Sequence, residues 1–247
     1  MAKSKERDET TVDRAERLLI EGILDGTYPP DSYLPGERLL SKTLEIARPA
    51  LREALQRLNH DGWLEIQRGK STRVRNYLLE GTLNILTGLF KISPDLMPEL
   101  VSDMLEVWGR FAPAYAAAAV RRAPGLVIDR LERCAQTEEH PEAYADAMWD
   151  LHRTLIDYCG NRVYGLIFNS FTDFYRQLGI QYYGDPANRA KARRFWETLW
   201  KAARAGDTRR ASNLMELFMR DTLAFWQSNE DVDFGKEAPA GPLEDAM

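Results

Sequence analysis

The chain has 247 residues, 44% hydrophobic and 29% charged, with a formal net charge of -5, the balance of a soluble globular protein with one large domain or two smaller ones. Two cysteines, Cys134 and Cys159, are too few for a disulfide framework and fit a reducing compartment. The opening MAKSKERDETTVD has no apolar signal core, and no run of about 18 apolar residues occurs, so a cytoplasmic protein without a membrane span is expected.

Residues 1–10 show no periodicity and are expected to be disordered. From 11 to 26, Val12, Ala15, Leu18, Leu19, Ile23 and Leu24 recur at helical spacing and Gly26 ends the run. TYPPDSYLP is a loop. GERLLSKTLEI returns to helical spacing through Leu39, Leu40 and Leu44. RPALREALQRLNHD then places Leu51, Ala54, Leu55 and Leu58 on one face, and Gly62 stops it. Two extended pieces follow, WLEIQ and STRVRN, joined by RGK, which is the pattern of a hairpin. Three helices and a hairpin over 11–76 predict a winged helix-turn-helix.

Charge is uneven along the chain. Residues 48–76 hold seven cations against three acids in an otherwise acidic protein. Arg48, Arg52 and Gln56 share a polar edge of the third helix, away from its apolar stripe and starting at its N-terminus. There a recognition helix presents base-reading side chains to the major groove, and backbone N–H groups favour phosphate. Arg38 sits in the preceding helix. Arg68, Gly69 and Lys70 form the hairpin tip, where glycine allows close approach to DNA and an arginine can enter a narrow minor groove. Arg57 and Arg73 read as solvated surface cations.

Residues 77–89 are expected to link this unit to a second one at 90–229. There helical periodicity dominates, with helices expected at about 82–90, 95–121, 124–135, 141–159, 162–183, 187–205 and 207–229, an all-α bundle. The tail from 230 to 247 lacks periodicity and is expected to be disordered. No G-x-G-x-x-G, G-x-S-x-G, H-E-x-x-H or C-x-x-C occurs. An enzyme is not expected, and neither is a cofactor.

Leu34-Pro35-Gly36-Glu37-Arg38 and the run Arg48-Pro49-Ala50-Leu51-Arg52-Glu53-Ala54-Leu55, with the glycine and wing that follow, resemble the DNA-binding domain of the GntR family of bacterial transcription regulators. GNRVYGLIFN and YRQLGIQYYGDPANRA extend the resemblance, more loosely, to the all-α effector domain of its FadR subfamily. The resemblance implies a homodimer on a double-stranded DNA operator, with Arg38, Arg48 and Arg52 at bases and the Arg68-Gly69 tip in the minor groove. It further implies a regulator of fatty-acid metabolism that long-chain acyl-CoA releases from DNA. Met104, Leu105, Tyr175, Tyr182, Phe218, Thr222 and Trp226 match the acyl-lining or CoA-contacting positions.

Some positions depart from that pattern. Ala47, Pro49 and Ala50 replace hydroxyl residues around the first recognition arginine, Arg68 replaces a wing-tip histidine, Trp108 replaces an arginine, and Asp231 replaces a lysine. Arg110, the cation nearest to Trp108, is expected to contact the effector and partly compensate at the CoA phosphates. Many relatives of this type hold a metal through one Asp and three His. Here only His152 falls on such a position, with Met148, Glu197 and about Arg220 at the others, so no metal site is expected. Two alternatives stand beside the acyl-CoA reading: a GntR-type regulator of another small molecule, and an architectural DNA-binding protein without an effector.

Overall fold

The computed structural model describes residues 9–92 and 97–228. The chain divides at 93/94 into two compact units, each with its own core.

The first unit contains α1 (Thr11–Leu24), α2 (Glu37–Thr43), α3 (Arg48–Asp61), β1 (Leu64–Glu65), β2 (Arg73–Val74), α4 (Tyr77–Glu80) and α5 (Asn84–Ile92). Thr10 caps α1: its hydroxyl accepts from the Asp13 N–H while the Asp13 carboxylate accepts from the Thr10 N–H, a reciprocal capping box. The described part of the expected N-terminal disorder is therefore ordered at Glu9 and Thr10; the rest of it, and the 230–247 tail, lie outside the described residues. The α1 helix ends at Leu24, two residues before Gly26. In α2, Leu40 is buried but Leu39 is 59% exposed, so Leu39 does not belong to the apolar stripe read from spacing. The reason is that α2 is only seven residues long and turns a single narrow face inward.

The four expected apolar positions of α3 are all buried. Gly62 ends the helix at φ 101°, and a Cβ there would stand 3.2 Å from Gly81 Cα. Both the left-handed backbone and the close chain crossing call for glycine. The wing is antiparallel, with Leu64 opposite Val74 and Glu65 opposite Arg73. Its strands are two residues each, shorter than WLEIQ and STRVRN suggested, and Tyr33 adds an isolated bridge to Arg73. Asn59 Oδ1 accepts from the Ile66 N–H at 2.9 Å, tying the wing to α3.

Residues 77–89 differ from the expected linker. They form α4 and most of α5, bury Ile85 and Leu89, and bring Tyr77 to 5.0 Å from the Trp63 ring centroid. Ile85 and Leu89 join the core of the first unit, while Leu78 and Leu79 stay exposed.

The second unit is a bundle of α6 (Met97–Arg122), α7 (Pro124–Cys134), α8 (Pro141–Cys159), α9 (Arg162–Asn169), α10 (Thr172–Gly184), α11 (Pro186–Arg204) and α12 (Thr208–Ser228). The long helices α6 and α12 pack along each other, and α8 lies against α6 and α10. The single helix expected over 162–183 is two helices, broken at Ser170–Phe171, where Phe171 has φ -102° and ψ 0°. The break turns both Phe168 and Phe171 into the core, where each packs on the Trp108 ring, with centroids 5.3 and 5.5 Å away.

Candidate functional site

Two sites emerge, one in each unit. In the first unit, Arg48 opens α3, whose N-cap is Ala47 with no side-chain hydrogen bond. The leading N–H groups of the helix are left for solvent or an anion. Arg38, Arg48, Arg68 and Lys70 are exposed and have no ion pair among the described residues. Gly69, at φ 77°, turns the wing tip between Arg68 and Lys70. Arg52 differs from these cations: its Nε donates to Glu37 Oε2 at 2.6 Å. An exposed pair of this kind is worth at most about 1 kcal/mol, so DNA can displace Glu37 at little cost.

Arg57 and Arg73 are engaged elsewhere. Arg57 bridges Glu16 and Glu53, and Arg73 donates to Asp31, Glu65 and Glu80. The three carboxylates around Arg73 brace the wing against the chain segments before and after it. Their effect is mutual, and the Arg73 guanidinium holds the Glu65 and Glu80 carboxyls below the usual range.

In the second unit, α6, α8, α10 and α12 enclose a cavity of about 60 Å³. Met104, Leu105, Tyr175, Tyr182, Phe218, Thr222 and Trp226 all line it. They come from three helices and are brought together only by packing. Arg110 is not among them. It is exposed on α6, two residues beyond Trp108 and so on another side of the helix. Trp108 itself forms part of the wall, 2% exposed.

Facing Trp108 is His152, with Met148 one turn before it on α8, both in the wall. Trp108 Nε1 donates to the Tyr115 hydroxyl at 2.9 Å, and Tyr115 lies 2.5 Å from His152 Nδ1. Burial lowers the His152 pKa to about 3, so the ring is neutral. Thr222 Oγ1 donates to the Phe218 carbonyl at 2.9 Å, and its hydroxyl lies 3.4 Å from that of Tyr182. Among the described residues no three His, Cys, Asp or Glu side chains converge on a point that could hold a metal. No described helix is long and apolar enough to cross a membrane.

Comparison with known proteins adds the family. Residues 11–74 match the model for bacterial regulatory proteins of the gntR family, and residues 75–232 match the FadR C-terminal domain. The chain belongs to the GntR family. This GntR-family regulator is 35% identical over 212 residues to the fatty acid metabolism regulator protein of Klebsiella pneumoniae subsp. pneumoniae, a match covering 86% of this chain and 89% of that one. It is 36% identical over 224 residues to the protein of the same description from Shewanella pealeana, covering 90% and 94%. The solved structure of the Listeria monocytogenes protein Lar, reported to control the agr system, aligns with a TM-score of 0.57 at 16% identity, over 90% of this chain and 99% of that one. That likeness is one of fold. The family is one of regulators, not enzymes.

Reading by residue missed the hydrogen-bonded chain of Trp108, Tyr115 and His152 at the cavity wall. Spacing singles out neither Tyr115 nor a partner for His152.

Proposed function

We propose that this regulator controls fatty-acid metabolism by binding a palindromic DNA operator as a homodimer, and that long-chain acyl-CoA releases it. The observation that carries the effector half is the cavity: seven positions matched from sequence, on three helices, share one wall. For the DNA half, the support is the cluster of exposed cations at the start of α3 and at the wing tip in an otherwise acidic chain.

The size of the cavity bears on how release works. Ligand pockets typically enclose about 300–1,000 Å³, and this one encloses about 60 Å³. A long acyl chain therefore enters only if the helices around the cavity part. A ligand that binds one helix arrangement and not the other can shift an equilibrium between two states. A 100-fold loss of DNA affinity corresponds to about 2.7 kcal/mol of coupling, and linkage then requires DNA to weaken acyl-CoA binding equally. Outside the wall, Arg110 is an exposed cation on α6 that can meet the CoA phosphates. With Trp108 in the wall, no cation stands at that position, so the grip on the CoA phosphates is looser than the family pattern provides.

The test is fluorescence anisotropy on labelled promoter fragments from fatty-acid genes, with and without oleoyl-CoA. Tight, salt-sensitive binding that oleoyl-CoA weakens is expected, and Trp226→Ala should blunt the effect of oleoyl-CoA while leaving binding in its absence nearly intact. A screen in which no acyl-CoA, short or long, changes either DNA binding or the melting temperature would remove the fatty-acid reading and leave a DNA-binding regulator of another small molecule.

A further inference from the structure

The cavity holds one feature that a saturated acyl chain does not use. Trp108 Nε1 is a donor only, so the Tyr115 oxygen accepts from it. The single Tyr115 hydrogen then has one acceptor within reach among the described residues, His152 Nδ1. This places the histidine proton on Nε2. The imidazole forms part of the cavity wall, and no described residue hydrogen-bonds Nε2. The relay thus ends in an N–H with a set tautomer, held in a wall of Met104, Leu105 and Met148.

Nε2 is not among the sealed side-chain atoms that lack a partner, so it looks onto the open space of the cavity; a saturated chain filling that space leaves the N–H without an acceptor, whereas a bound oxygen keeps the hydrogen bond. Tyr175 and Thr222 are the half-buried members of the lining, whereas His152 is 3% exposed and Trp108 is 2% exposed. With the bulky polar end of a ligand leaving beside the more exposed Thr222, His152 meets a buried part of the chain.

We infer that His152 is a specificity-determining residue, whose Nε2–H selects acyl groups carrying a hydroxyl or keto oxygen within the chain over saturated ones. The inference rests on the acyl-CoA reading above and deepens it. Trp108 and Tyr115 are positioning residues that act through the ring.

The experiment is titration calorimetry of the full-length protein with stearoyl-CoA and with hydroxystearoyl- and oxostearoyl-CoAs bearing the oxygen at successive carbons. At least one oxygenated ligand should bind about tenfold more tightly than stearoyl-CoA, the size of one net hydrogen bond. The ratio should fall to about one in His152→Phe and to an intermediate value in Tyr115→Phe, which frees the tautomer. If the wild type binds stearoyl-CoA as tightly as every oxygenated analogue, or if the preference survives in His152→Phe, the inference is overturned while the acyl-CoA reading stands. If the wild type binds none of these ligands, both fall. Should a variant fail to fold, the wild-type comparison alone decides.

Discussion

Arg48 and Lys70 are both exposed cations without an ion pair among the described residues, yet they occupy different structural settings and should behave differently. Arg48 sits at the start of α3, where a guanidinium can bond two guanine acceptors at once. Arg48→Ala should weaken operator binding by about 1–3 kcal/mol and relax base preference at one position. Lys70→Ala should weaken all sequences alike and flatten the salt dependence by about one unit of slope. Anisotropy titrations on base-substituted operators at several salt concentrations separate the two; identical profiles would show that the division of labour is wrong. His152 yields a pH prediction. Its pKa is about 3 when folded against 6.5 when free, so the unfolded chain binds the extra proton. Stability is present above the unfolded value and is lost as pH falls from 6.5 towards 3, by up to about 1.4 kcal/mol per pH unit. Denaturant melts of His152→Phe should show a shallower loss over that window than the wild type. Parallel curves would mean that the ring is not held neutral.

At the scale of elements, Gly62 fixes the joint between α3 and the wing. Gly62 combines a φ of 101° with a chain crossing 3.2 Å from its missing Cβ. Gly62→Ala should lower the stability of that unit by about 1–3 kcal/mol, read as a lower melting temperature in circular dichroism. An unchanged melt would show that the crossing can open freely. The start of α3 is the opposite case, an element with an unfilled cap. Ala47 has the extended backbone of an N-cap but no side-chain acceptor. Ala47→Ser should add about 0.5–2 kcal/mol of stability and, by contributing a hydroxyl near the phosphate site, tighten binding to unrelated DNA as well as to operator. A gain in neither would place the helix end away from the backbone of DNA.

For the whole molecule, a single winged helix reads only a few base pairs, and two-fold symmetry doubles the contacts. Light scattering at micromolar concentration should give about twice 28.3 kDa, and footprinting should give two half-sites related by a dyad. A monomer both free and on DNA would contradict this. If acyl-CoA and operator compete through the protein, calorimetry with and without operator should show the acyl-CoA affinity falling by the same factor as the operator affinity falls with acyl-CoA. Unequal factors would mean that the ligand acts on DNA binding by some route other than a shared equilibrium.

The amino-acid sequence determined the class of each half because local rules suffice there. Leu51, Ala54, Leu55 and Leu58 at helical spacing, Gly62 after them, and Arg68-Gly69-Lys70 at a hairpin tip are patterns set by backbone geometry within a dozen residues. The family resemblance of residues 34–76 rests on the same short motifs. Where the environment is made by distant residues, spacing failed. It put Leu39 on the buried stripe, ran one helix through Phe171 because the reason to break there is Trp108 some sixty residues earlier, and took 77–89 for a linker because Trp63, which covers Tyr77, lies on the other side of the wing. Arg110, near Trp108 by number, stands outside the cavity wall on another side of α6. Only the packing of α6 against α8 joined Trp108, Tyr115 and His152 into one hydrogen-bonded chain, since a buried polar group takes its role from the partner that satisfies it, and that partner can come from any part of the fold.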